Sequence, residues 1–149
     1  MTGTGGANPT QEFRAGAMAD LHALMAFVDR VCDEARVDAD AAFAVRLAVE
    51  EAFTNIMEHG YRGEGGPVAV SIDAGAQSVR VVLRDEAPAF DPVDAPAPDL
   101  DAALEERDPG GLGWHLVRQV MDQVEHQAAT PRGNVLTLTK RLPAAARED

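Results

Sequence analysis

Glu51 and Asn55 stand four residues apart in the stretch Glu51-Ala-Phe-Thr-Asn55, a spacing that sets two side chains on one face of a helix. A carboxylate there can take a proton from a water or hydroxyl nucleophile. A neutral amide oxygen beside it can ligate Mg²⁺, which accepts few protein ligands and fills its shell with phosphate oxygens and water. The pair suits nucleotide-dependent phosphoryl transfer. Asp85 follows at the end of the alternating run Ser78 to Arg84. A carboxylate at a strand end can accept a hydrogen bond from an exocyclic amine such as that of adenine. Glu86 points to the opposite face; Ala87-Pro88-Ala89 leads away to Phe90, placed to cover an apolar pocket wall. The third segment, Gly110-Gly111-Leu112-Gly113, opens a helix. Its glycines let backbone approach a ligand closely, and the free N–H groups of a helix start suit phosphate. No Gly-Lys-Ser/Thr follows, so this is not a Walker loop, nor is it the six-residue dinucleotide fingerprint.

Hydrophobic periodicity predicts the elements that position these residues. Thr10 to Arg14 reads as a short edge strand and Ala17 to Arg36 as a helix, with Leu21, Leu24, Met25, Val28, Val31 and Cys32 on one stripe. Asp38 is the N-cap of a second helix, about Ala39 to His59, with Phe43, Leu47, Phe53, Ile56 and Met57 as its apolar positions. Glu51, Asn55 and Glu58 or His59 form its polar stripe, and Gly60 ends it. His59 is thereby placed beside the pocket. Two strands alternate on Val68, Val70, Ile72 and on Val79, Val81, Leu83, joined through Gly75-Ala-Gln. Residues 87 to 110 hold five prolines and many Asp and Ala residues, a length that marks a lid or binding loop. A helix from Gly113 to Gln123 and a hairpin of Val124 to Ala129 with Asn134 to Lys140 complete the order. The expectation is an α+β two-layer sandwich, a mixed, mostly antiparallel sheet with helices on one face. Residues 1–9 read as a disordered lead, 10–142 as one domain with its lid at about 91–110, and 143–149 as a tail.

Composition excludes several classes. The chain has 149 residues, 46% of them hydrophobic, enough for one core. A net charge of -12 argues against nucleic acid as a partner and disfavours anionic membranes. No apolar run reaches spanning length, and Met1 to Pro9 lacks the features of a signal peptide. The lone Cys32 forbids an internal disulfide, favours a cytoplasmic setting and sits on an apolar stripe as a small core residue. His22 and His126 read as ordinary surface or sheet positions, and no His pair has metal-ligand spacing.

Taken together, Leu47-Ala-Val-Glu-Glu-Ala-Phe-Thr-Asn-Ile-Met-Glu-His-Gly-Tyr61, Phe90-Asp-Pro92 and Pro109-Gly-Gly-Leu-Gly-Trp-His-Leu-Val-Arg-Gln-Val-Met-Asp122 resemble the GHKL (Bergerat-fold) ATPases. More narrowly, they are similar to the stand-alone anti-sigma-factor serine kinases, from about Glu12 to Leu142. The resemblance implies that Glu51 is the general base, Asn55 the Mg²⁺ ligand and Asp85 the acid that recognises adenine. It also makes Gly111 and Gly113 the glycines at the hinge of an ATP lid. The implied cofactors are ATP and Mg²⁺. The implied partners are a STAS-domain anti-anti-sigma protein, phosphorylated on serine, and a sigma factor; family members tend to form homodimers. Two positions depart from the family pattern: Ala87 replaces the glycine of Asp-x-Gly, and Arg107 is the nearest cation before Gly110. These departures support an alternative, a non-catalytic anti-sigma or adaptor module that uses nucleotide only to order its lid. A third reading, the catalytic half of a histidine kinase, lacks room for a separate dimerising hairpin with a phosphoacceptor His.

Overall fold

The computed structural model describes residues 10–88, 109–128 and 133–143, and for residues 109–114 the backbone alone. Five strands form one sheet: β1 (Gln11–Ala15), β2 (Val68–Ala74), β3 (Ser78–Asp85), β4 (Gln123–Ala128) and β5 (Asn134–Arg141). Their spatial order is β1-β2-β3-β5-β4, and all four pairings are antiparallel. The expected mixed sheet is thus antiparallel throughout. Val68, Val70, Ile72 and Ala74 alternate inward opposite Val79, Val81 and Leu83, and Leu136 and Leu138 continue that face. The period of two therefore covers one face with a single core.

The helices are α1 (Leu21–Glu34), α2 (Ala39–Asn55) and α3 (Pro109–Val120), and they cover the inner face of the sheet. A 3₁₀ turn, Met18–Asp20, leads into α1, where the Asp20 carboxylate accepts from the Gly16 and Ala17 amides. The α1 stripe is close to the expected one, with Phe27 added; its ring lies 5.5 Å from that of Phe13 on β1. Cys32 is buried within it, and burial together with Asp29 pushes its thiol up to about 11, so it stays protonated and inert at neutral pH.

Asp38 caps α2 by accepting from the Ala41 amide, as the sequence predicts. The buried face of α2 differs from expectation. Phe43 is 66% exposed, whereas Ala41, Ala44, Val45, Ala48, Val49, Ala52 and Phe53 are buried. Small side chains let α2 pack between α1, α3 and the sheet, which it touches on all sides. Phe53, Leu24 and Met57 are fully buried at the centre, each contributing about 1.5–3 kcal/mol by removal from water.

Several element ends differ from the sequence expectation: α1 begins at Leu21 rather than Ala17, and α3 stops at Val120, leaving Gln123 to open β4. After Asn55 the helix widens into a π turn, Ile56–Gly60, and Gly60 lies buried inside it. The chain instead reverses through positive φ at Arg62 and Gly63. Meanwhile α3 begins at Pro109, four residues earlier than the periodicity suggests, because proline is suited to the first helical position. Pro109 and Gly110, expected to end the lid, are thus helical. Lys140 Nζ donates to Val120 O at the last turn of α3, tying that helix to β5. The expected lead 1–9 and most of the expected lid, with Phe90 and Arg107, lie outside the described residues. Among the described residues no helix is long and apolar enough to cross a membrane.

Candidate functional site

The start of β2, the end of β3 and the start of β5 meet in register: Asp85 pairs with Val68 on one side and Asn134 on the other. The loop after α2 is anchored at the same place. Tyr61 Oη donates to Pro67 O at 2.7 Å and accepts from the Glu86 amide at 2.7 Å. The C-terminal end of α2, with its π turn, is therefore tied to the exit of β3. Single π turns inside α-helices recur at functional sites.

Glu51 is half-buried on α2 and accepts no hydrogen bond from a described residue. Burial first, then the like charges of Glu50 and Glu58, raise its pKa above the ordinary glutamate value. That is the direction a general base working near neutral pH requires. Asn55, one turn on, is 8% exposed, and its carboxamide makes no hydrogen bond to a described residue, though its atoms are not sealed off. A nearly buried amide without a protein partner fits a ligand that supplies one, and its hard oxygen suits Mg²⁺. Among the described residues no group of three or more His, Cys, Asp and Glu could hold a metal; Asn55 is the candidate through its chemistry alone. His59, in the π turn, is exposed, and no hydrogen bond or ion pair among the described residues joins it to Glu51, Asn55 or Asp85.

Asp85 is 7% exposed, while Glu86 is exposed, so the strand presents the acid that its alternation implies. Among the described residues, hydrogen bonds to the carboxylate fall on Oδ1: from the Ala87 amide at 2.9 Å and from Asn134 Nδ2 at 3.0 Å. Burial raises the Asp85 pKa; the Asn134 and Ala87 donors and the nearby His126 act against it. Ala87 is fully buried and its backbone does not enter the positive-φ region. At this position the alanine keeps the amide contact that matters, and no strain follows from the missing glycine.

Gly110, Gly111, Leu112 and Gly113 all lie within the first turns of α3 rather than in a loop before it. The first N–H groups of a helix, through its third residue, have no intrahelical acceptor; Pro109 has no N–H, so within α3 the amides of Gly110 and Gly111 are the ones open to an anion. Beside the site, a cleft of about 440 Å³ lies between Tyr61, Gly66, Glu86 and Pro88. Glu51, Asn55 and Asp85 do not line it.

Three residues at this end carry roles that local sequence does not announce. Asn134 is 3% exposed and bridges Asp85 to His126, whose Nε2 lies 2.7 Å from Asn134 Oδ1. Gly133 has φ of +111°, and a Cβ there would lie 2.6 Å from Asp85 O. For Gly133 the one local signal is its place in the turn Thr130-Pro-Arg-Gly133.

Residues 15–140 match the family model described as histidine kinase-like ATPase domain. The serine-protein kinase RsbW of Halalkalibacterium halodurans is 34% identical over 107 residues, 66% of this chain and 61% of its own length. This chain therefore spans just under two thirds of that relative. The serine/threonine-protein kinase BtrW of Bordetella bronchiseptica is 30% identical over 105 residues, 70% of this chain and 73% of its own. An anti-sigma F factor of Bacillus cereus is 30% identical over 99 residues, 66% and 68% respectively. A crystal structure of the RsbU and RsbW domains of a Mycobacterium tuberculosis protein superposes with a TM-score of 0.62 at 18% identity, covering 91% of this chain and 32% of that one; it shares the fold. With the match running from the last residue of β1 to the end of β5, the chain belongs to the histidine kinase-like ATPase domain family.

Proposed function

We propose that this chain is an ATP-dependent protein serine kinase and anti-sigma regulator, phosphorylating a small STAS-domain antagonist in a partner-switching pathway. The observation that carries the reading is the pair on α2: a carboxylate with a raised pKa, one turn before a nearly buried carboxamide with no described protein partner. The names of the relatives, two serine kinases and an anti-sigma factor, support the same reading.

In this reading Asp85 accepts from the adenine amine, and the free α3 N-terminal amides of Gly110 and Gly111 face the phosphates, with Leu112 and Gly113 in the turn behind them. Asn55 would hold Mg²⁺, which when bound neutralises charge on the transferred phosphoryl group. The substrate serine hydroxyl gives its proton to Glu51 as its oxygen bonds the γ-phosphorus. The bond from that phosphorus to the β,γ-bridging oxygen breaks, and ADP leaves with the electron pair. Arg107, the nearest cation before Gly110 in the sequence, would reach the terminal phosphate only if the lid folds inward. The net charge of -12 suits a partner with a basic face, and the setting for such a switch is the cytoplasm, with the chain as a homodimer.

The test is incubation with γ-labelled ATP and the STAS proteins of the same cell, alongside capture of sigma factors. Label should pass to a STAS serine and vanish with Glu51→Ala. No label, or equal label from the variant, would sink the kinase assignment. Tight ATP binding and sigma capture without transfer would point to a nucleotide-gated binding module instead.

A further inference from the structure

The support behind Asp85 extends over three strands. Asp85 ends β3, Asn134 opens β5 directly opposite it, and His126 reaches across from β4. Asn134 Nδ2 donates to Asp85 Oδ1 at 3.0 Å and to Pro88 O at 3.3 Å, while Asn134 Oδ1 faces His126 Nε2 at 2.7 Å. These contacts agree on one orientation of the amide: NH₂ toward the two acceptors, oxygen toward a donating Nε2–H. Turned over, the amide would set its oxygen against a carboxylate.

We infer that Asn134, held by His126, is the positioning residue that locks Asp85 as a hydrogen-bond acceptor toward the base and so sets a preference for adenine over 6-oxopurine nucleotides. The inference rests on the ATP-binding reading above. Oδ1 is occupied by Asn134 and Ala87, which leaves Oδ2 to meet the ligand. An ionised oxygen satisfies the 6-amino group of adenine and repels the 6-oxo oxygen of hypoxanthine or guanine. The preference therefore depends on Asp85 not carrying a proton on the outward oxygen. Asn134 enforces this by giving Oδ1 a donor that does not titrate. Replacing that donor by a second carboxylate makes the two acids share a proton, because like charges this close cannot both ionise. That proton sits between Oδ1 and residue 134 and neutralises part of the Asp85 charge, so Oδ2 holds a 6-amino group less tightly and repels a 6-oxo oxygen less. His126 acts one step further back, by fixing which end of the Asn134 amide faces Asp85.

The experiment measures ATP and ITP affinities by calorimetry for the full chain and three variants. Wild type should favour ATP. Asn134→Asp should lower the ATP-to-ITP affinity ratio about tenfold or more, and His126→Leu about threefold. His126→Gln, whose amide can still donate toward Asn134, should keep the ratio. If Asn134→Asp does not fold, the two His126 variants decide: equal ratios for Leu and Gln overturn the relay. ATP binding with an unchanged ratio in both Asn134→Asp and His126→Leu also overturns it, and leaves the nucleotide reading standing. Absence of ATP binding by the wild-type chain overturns both.

Discussion

Among the described residues, Glu51 and Asp85 are the two carboxylates with raised pKa values, and they keep opposite company. Burial raises the pKa of each. Around Glu51 the next contributions come from Glu50 and Glu58, which push in the same direction as burial. Around Asp85 they come from Asn134, Ala87 and His126, which push against it. A carboxylate among like charges, with no donor on it, is arranged to take up a proton. One with an oxygen saturated by donors is arranged to stay an acceptor. Both acids are raised, but the donors around Asp85 restrain a rise that the like charges around Glu51 reinforce.

The largest effect is expected from removing the proton acceptor. Glu51→Gln should slow phosphoryl transfer by about 10²–10⁴-fold, the usual contribution of a positioned base, with ATP affinity nearly unchanged. The pH profile carries the sign. The base acts ionised and its pKa is raised, so the wild-type rate should climb with pH beyond the ordinary glutamate range. Stability runs the other way. Between the unfolded and the raised folded value the native state binds more protons, so wild-type stability should fall as pH rises through that window. Denaturant unfolding across that window should show a shallower fall for Glu51→Gln. An unaltered slope would mean that Glu51 is not perturbed as described. Asp85→Asn is the next largest. The new side chain can still accept from Ala87 and Asn134 through its oxygen, but its NH₂ then faces the base. Loss of a charged acceptor should weaken ATP binding about 10–100-fold, and leave the fold intact by circular dichroism. Retained affinity would mean that Asp85 is not the adenine contact.

The contrast between these two acids was unevenly legible. Glu51 and Asn55 are local: a spacing of four on a helix is enough to pair them. The order of strands and helices was legible for the same reason, since alternation at Val68, Val70 and Ile72 or at Val79, Val81 and Leu83 needs no distant partner. Asp85 was visible as a strand-end acid. Its supports were not, because Asn134 lies 49 residues away and meets it only through β3–β5 register. His126 looked like any edge-strand polar residue until that register placed it behind Asn134. Helix ends failed where two local signals compete. The glycines of Gly110 to Gly113 discourage helix, yet Pro109 favours its start, and packing of α3 on α2 decides for helix. At α2 the glycine after His59 suggested a cap, whereas the chain uses a π turn and reverses two residues later.

Two smaller changes sharpen the comparison by acting on the backbone that holds it. Gly133→Ala would force a Cβ within 2.6 Å of Asp85 O at a positive φ, and should cost about 1–3 kcal/mol. It acts on the Asp85 side, so thermal unfolding should shift together with ATP affinity, while the acid limb of the Glu51 rate profile stays in place. A Gly133→Ala protein with wild-type melting would contradict the close approach. Tyr61→Phe is the smallest and the most discriminating, because the phenol is the tie between the two regions. Its hydroxyl bonds Pro67 O before β2 and the Glu86 amide after β3. Deleting it should cost about 0.5–1.5 kcal/mol in denaturant unfolding, the usual net value of a hydrogen bond. If the tie only adds stability, Tyr61→Phe combined with Asp85→Asn should give additive losses in transfer rate. If it sets the α2 end relative to the β3 exit, the two should be coupled, since both disturb the same placement of nucleotide against Glu51. The double-mutant cycle should therefore leave an interaction energy above about 0.5 kcal/mol, and a value near zero would make Glu51 and Asp85 independent halves of the site.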